Sequence, residues 1–194
     1  MTMQPATHDI AAQRRLIWVG LLAVASVLFS GVFACAVPLA ALAALAALDI
    51  ERRDGLMLIA AVWLANQIWG YGVLAYPHDL TTAAWGLTMG AGSGVAYLCA
   101  RATVTALSGN LVLTAVSALL VSFAAYEATL YAATFVLGGG DEAFTAAVVG
   151  RIAAIDAAAF VALLFVHRLA VAAGIARRNA LEGGASTLPA AQHA

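Results

Sequence analysis

The chain has 194 residues, of which 64% are hydrophobic and 10% charged, with a mean hydropathy of +0.95 and a net charge of −1. Soluble domains run at roughly 45–50% apolar and about 25% charged, so an ordinary cytosolic domain is excluded. The near-neutral charge, with no basic tract interleaved by aromatics, gives no reason to expect a nucleic-acid partner.

All nine cationic side chains are Arg, which removes Schiff-base and Lys-dependent phosphate chemistry. The composition predicts an all-α, polytopic integral membrane protein. One transmembrane domain over residues 16–173 is expected between a polar cytoplasmic tail at 1–15 and a disordered cytoplasmic tail at 174–194.

The first apolar run, Leu16 to Leu48, would span about 50 Å as one helix, well beyond a hydrocarbon core of about 30 Å. Pro38 removes a backbone donor and disfavours helix in the residue before it, so the run is read as a span at 16–35 and a shorter one at 38–48. Arg14-Arg15 followed by apolar sequence and Ala34-Cys35-Ala36 resembles a secretory signal with its cleavage site, but the apolar stretch exceeds the roughly 7–15 residues such a signal uses. After the charged hinge Asp49–Asp54, a third span is predicted over Gly55–Tyr76 and a fourth over Thr82–Ala100. The more polar stretch Arg101–Gly109 is placed at the interface. A fifth span then covers Asn110–Leu137, Gly138–Glu142 forms a turn, and a sixth covers Ala143–Ala173.

Arginine placement selects six spans over five. With six, Arg14-Arg15, Arg52-Arg53, Arg101 and Arg177-Arg178 share one side, while Tyr76–Thr82 and Gly138–Glu142 share the other with no Arg. That obeys the positive-inside rule and predicts a multi-pass protein of the cell inner membrane with both termini in the cytoplasm.

Small residues recur at helical spacing in Ser26, Ser30 and Ala34 of the first span and in Gly86, Gly90 and Gly94 of the fourth. Such seams let backbones approach closely, either within the bundle or against a partner protein.

The chemically informative stretch is Trp63-Leu-Ala-Asn66-Gln67-Ile-Trp69-Gly70-Tyr71, which places two carboxamides and three large aromatics inside an apolar span. Trp63, Gln67 and Tyr71 form one stripe, and on the fifth span Glu127 and Tyr131 form another. Counted from the external helix ends, Asn66, Gln67, Glu127 and Arg151 all lie about 12–15 Å deep, and Asp156 about 20 Å deep with no evident partner. Ionisable groups in a bilayer mark sites or pair with one another. Two readings follow: a solute pocket lined by Trp63, Asn66, Gln67, Tyr71, Glu127, Tyr131 and Arg151, or a Glu127–Arg151 ion pair with Asn66 and Gln67 as interhelical glue.

No catalytic motif or phosphate-binding loop is present, and Cys35 and Cys99 lack partners at metal-ligand spacing. No enzymatic activity, cofactor or metal is therefore expected.

The first span, Val37-Pro38-Leu-Ala-Ala opening a short second helix, a polar turn ending in Gly55, and a third helix carrying Asn66-Gln67 and Gly70 resemble the N-terminal half of S components. These are the six-helix substrate-binding subunits of energy-coupling factor vitamin importers. The resemblance implies an outward-opening pocket capped by Val37-Pro38, Tyr76–Asp79 and the fifth-to-sixth turn. It also implies a membrane partner, a coupling subunit with ATPases, for which Ser26, Ser30 and Ala34 would form the docking face. The expected function is capture of a small polar micronutrient. An accessory subunit of a larger membrane complex, and an intramembrane enzyme or proton-coupled carrier using Glu127 and Asp156, are the alternatives.

Overall fold

The computed structural model describes residues 38–107 and 109–172, together with Gly20. The predicted first span, with Ser26, Ser30 and Ala34, lies outside the described residues except at Gly20, and so do both tails. The described chain is all helical: α1 (Leu39–Asp49), α2 (Arg52–Gly72), α3 (Leu80–Ala106), α4 (Leu111–Leu137), a 3-10 turn (Asp141–Phe144) and α5 (Ala146–Ala172).

Helix boundaries follow local chemistry. Asp79 caps α3, its Oδ1 accepting from the Thr82 amide at 2.8 Å and its Oδ2 from Thr82 Oγ1 at 3.1 Å. Asn110 caps α4 in the same way, accepting from the Leu113 amide at 3.1 Å. Helix α2 stops at Gly72, short of the predicted Tyr76, because Pro77 drives Tyr76 away from helix and Ala75 turns left-handed at φ 53°. The Tyr76 amide then donates back to the Gly70 carbonyl at 3.1 Å. The predicted glycine turn is present, and Gly138, Gly139 and Gly140 all take positive φ, a run only glycine adopts at low cost.

Helix α3 runs through Arg101 to Ala106, past the Ala100 boundary expected from polarity. Thr103 and Thr105 donate their hydroxyls to the Cys99 and Ala102 carbonyls of their own helix, so these polar residues remain helical.

Helix α1 forms the centre. Each residue from Leu39 to Ala47 is at most 1% exposed, and α2, α3, α4 and α5 all pack on it. Its leucines, recurring every third residue among alanines, present no polar face in any direction, which suits a helix buried all round. Helices α3 and α4 form the most extensive contact of the bundle.

The surface is strongly apolar, and several polar side chains lie inside. Met57, Ile68, Leu87, Val112, Leu120, Phe135, Val161 and Phe165 point outward, whereas Ser93, Thr114, Ser122, Thr134 and Asp156 are buried. Helices α4 and α5 are long and apolar enough to cross a membrane. The other two outer helices are of comparable length, but α2 carries Arg52-Arg53-Asp54 and Asn66-Gln67, and α3 carries Arg101 among glycines and threonines.

Tyr97 of α3 is fully buried and donates its hydroxyl to the Arg52 carbonyl at 3.3 Å. Its ring passes so close to Gly55 that a Cβ there would lie 2.6 Å from Cε2. Gly55→Ala is therefore expected to cost about 1–3 kcal/mol, because Tyr97 has no room to withdraw. Gly94, which faces open space, serves as the control. Thermal unfolding in detergent checks both: Gly55→Ala melts earlier, and Gly94→Ala does not.

The hydrogen bond from the Thr82 amide, foremost, holds the Asp79 carboxyl below its ordinary value. A depressed carboxylate stabilises α3 above the unfolded-state value, and that contribution fades as pH falls through the folded value. The Thr82 amide resonance is expected to titrate with a midpoint below that of a free Asp side chain, and to lose this titration in Asp79→Ala.

Candidate functional site

The site is organised by the two ends of α1. Its first turn, Leu39-Ala40-Ala41, follows Pro38, which offers no capping side chain, so the free amides must be satisfied from elsewhere. Asp156 of α5 does this, Oδ1 accepting from the Ala41 amide at 2.9 Å across the core. Ser122 of α4 donates to the neighbouring Ala40 carbonyl at 2.7 Å. At the other end, Arg101 of α3 donates through Nη1 to the carbonyls of Ile50 and of Ala47, the latter at 3.5 Å.

A carboxylate thus meets the positive end of the helix dipole and a guanidinium the negative end. Asp49 closes the same end, its Oδ2 lying 3.3 Å from Nδ1 of His167 on α5. Sequence left Asp156 without a partner. The one hint was that α1 begins without a Ser, Thr, Asp or Asn cap, a deficit only tertiary contact can supply.

Helix α1 is about 16 Å long, whereas α3, α4 and α5 are each about 40 Å. It therefore starts partway along the bundle. Glu127 on α4 and Arg151 on α5 stand about 7 Å beyond Ser122 and Asp156, past the point where α1 begins. Glu127 is half-buried and makes no hydrogen bond or ion pair among the described residues. It lies beside the buried Tyr126, and both are within electrostatic range of Asp156. Arg151 is exposed on α5, and no ion pair joins it to Glu127. The structural pair offered as an alternative for these two residues is thus not made.

The glycine seam of α3 is filled from inside. Trp63 lies against Gly90 and donates Nε1 to the Gly86 carbonyl at 2.7 Å, while the Gln67 amide rests on Gly86. The stripe expected to wall a pocket is thereby engaged in packing α2 on α3. Asn66, on the adjacent stripe, is half-buried. The predicted polar layer also divides. Gly92 abuts Tyr126, Gly90 abuts Trp63 and Gly86 abuts Gln67, which sets Trp63 near the level of Glu127 and Gln67 about 6 Å closer to the loop end.

Aromatics gather at that loop end. Tyr71 packs on Tyr76 and His78, with centroids 6.2 and 5.3 Å apart, and Tyr131 packs on Phe135 and Phe144, each at 5.2 Å. Trp85 reaches the glycine turn at Gly140. Among the described residues no group of His, Cys, Asp and Glu is arranged to hold a metal.

No protein-family model, curated protein or solved structure matches this chain.

Removing the buried acceptor is expected to expose the requirement at α1. Asp156→Ala leaves the Ala41 amide unsatisfied at a cost of about 1–3 kcal/mol. Asp156→Asn, which keeps an oxygen at Oδ1, is expected to melt between Asp156→Ala and the parent protein in detergent.

Proposed function

We propose that this protein is a multi-pass protein of the cell inner membrane that captures a small polar solute from the outer side, as the substrate-binding subunit of a micronutrient importer. The observation that carries the reading is Glu127: a carboxylate without hydrogen bond or ion pair among the described residues, on a helix apolar enough to cross a membrane, just past the start of a shortened central helix. An unpaired carboxylate in hydrocarbon is costly, and a donor or cation brought by a ligand removes that cost. A helix broken off inside a membrane bundle is the recurring setting of solute sites in transporters.

The orientation draws on charge. Arg52, Arg53 and Arg101 gather where α1 ends and α2 begins, and Arg168 lies near the same end beside His167. The segments 73–79 and 138–145 at the opposite end contain no Arg, which favours a cytoplasmic position for the first end and an external one for the second. The uncovered apolar faces of all four outer helices suit acyl chains.

In this reading Glu127 meets a cationic or donor group, with Asn66, Tyr71 and Tyr131 around the opening, while Trp63 and Gln67 hold the wall in place. The exposed Arg151 lies about 8 Å from the start of α5, within reach of lipid phosphate or of solute near the mouth. The energising ATPases and their coupling subunit are separate partners. A second reading, a proton-coupled carrier, is favoured by two carboxylates, Glu127 and Asp156, about 7 Å apart along the bundle axis.

Native mass spectrometry of the purified protein tests the proposal. A small-molecule adduct is expected on the parent protein and is lost in Glu127→Gln, with thermal unfolding unchanged. Survival of the adduct in Glu127→Gln removes Glu127 from the site. Uptake by the isolated protein in vesicles, driven by a pH gradient and abolished in Asp156→Asn, would replace the importer subunit with the carrier.

A further inference from the structure

Capture at Glu127 leaves the buried group beside it unused. Tyr126 of α4 is 8% exposed, and its hydroxyl makes no hydrogen bond among the described residues. Buried hydroxyls are nearly always bonded, so one without a partner marks a place where another molecule supplies it.

Helical spacing sets where Tyr126 lies. Ser122, one turn earlier on the same face of α4, donates to the Ala40 carbonyl in the first turn of α1 at 2.7 Å. Tyr126 is about 6 Å further along and so lies past Leu39, the first residue of α1. Its ring rests on Gly92 of α3, where a Cβ would stand 3.3 Å from Cδ2. Asp156 of α5 reaches the same end of α1 from the other side, Oδ1 accepting from the Ala41 amide.

The charge around the hydroxyl has one sign. Asp156 and Glu127 both act on it electrostatically, and among the described residues no Arg or His offsets either carboxylate. Arg151 is exposed and pairs with neither.

Oxygen acceptors without a cation select a ligand that brings both charge and donors. The described residues bring no third carboxylate, His or Cys to this place, which disfavours a metal ion. A quaternary ammonium carries no N–H and would leave the hydroxyl and Glu127 unbonded. A primary ammonium supplies the charge and three N–H donors.

We propose that the solute captured at Glu127 is a primary amine, whose ammonium group donates to the Glu127 carboxylate and to the Tyr126 hydroxyl oxygen within the field of Asp156. The inference rests on the capture reading and adds to it the class of solute and the residue that selects it.

Thermal unfolding of the purified protein in detergent, titrated with n-butylammonium chloride at fixed pH and ionic strength, tests it. Sodium chloride, tetramethylammonium chloride and n-butanol serve as matched probes. Butylammonium is expected to raise the midpoint saturably, and the matched probes are not. Glu127→Gln is expected to lose the rise. Tyr126→Phe keeps the ring on Gly92 and removes only the hydroxyl. Without amine it is expected to melt no earlier than the parent protein, because the hydroxyl has no partner to lose. Its half-saturating butylammonium concentration is expected to rise about tenfold, as for one lost hydrogen bond to a charged group.

An earlier melt of Tyr126→Phe without amine shows the hydroxyl bonded within the protein and overturns the proposal. No rise with butylammonium, an equal rise with tetramethylammonium or sodium, or an unchanged half-saturation in Tyr126→Phe overturns it as well. A solute adduct that is lost in Glu127→Gln but, once released, gains no mass from an amine-acylating reagent overturns the amine assignment and leaves capture standing.

Discussion

The bundle depends on satisfying the ends of a helix that has no water to turn to. Helix α1 is too short to bring both termini to a surface, and its sequence supplies no cap at its first turn. Other helices provide what is missing, Asp156 accepting from a first-turn amide and Arg101 donating to the last carbonyls, while Ser122 adds a bond to the Ala40 carbonyl. Each is a long-range contact, so α3, α4 and α5 are tied to one another through the backbone of α1. Asp156 at the first turn and Arg101 at the last agree in sign with the helix dipole, while Asp49 at that last turn is offset by His167.

Around that axis, small residues let the helices approach closely. The glycines of α3 serve this purpose. Gly86 and Gly90 admit Gln67 and Trp63 of α2, Gly92 admits Tyr126 and Leu130 of α4, and the small residue at Gly55 admits Tyr97. Large side chains of one helix thus fill notches in the next. The most polar stretch of α2 is held by α3 rather than left open to a cavity.

The same arrangement separates two carboxylates that look alike in sequence. Asp156 is consumed by structure, bound to the Ala41 amide and buried. Glu127, a turn and a half beyond the start of α1, has no such employment among the described residues. One environment makes a carboxylate part of the scaffold, and the other leaves it half-buried without a hydrogen bond among the described residues. The difference lies in a backbone amide that faces Asp156 and in its deeper burial.

The sequence by itself determined the helical class, the start of α1 after Pro38, the end of α2 before Tyr76-Pro77 and the glycine turn after α4. These are local consequences of hydropathy, proline and glycine. It also singled out Trp63, Gln67, Gly86, Gly90, Glu127 and Asp156, because polar, aromatic and small residues stand out in an apolar chain. What it did not contain was which of these meet. Trp63 and Gln67 turned toward the glycines of α3, Arg151 stayed away from Glu127, and Asp156 found a backbone amide 115 positions earlier. A backbone amide leaves no mark in a sequence, and pairings between helices are set by their rotation and rise against one another, so only the tertiary structure decided them.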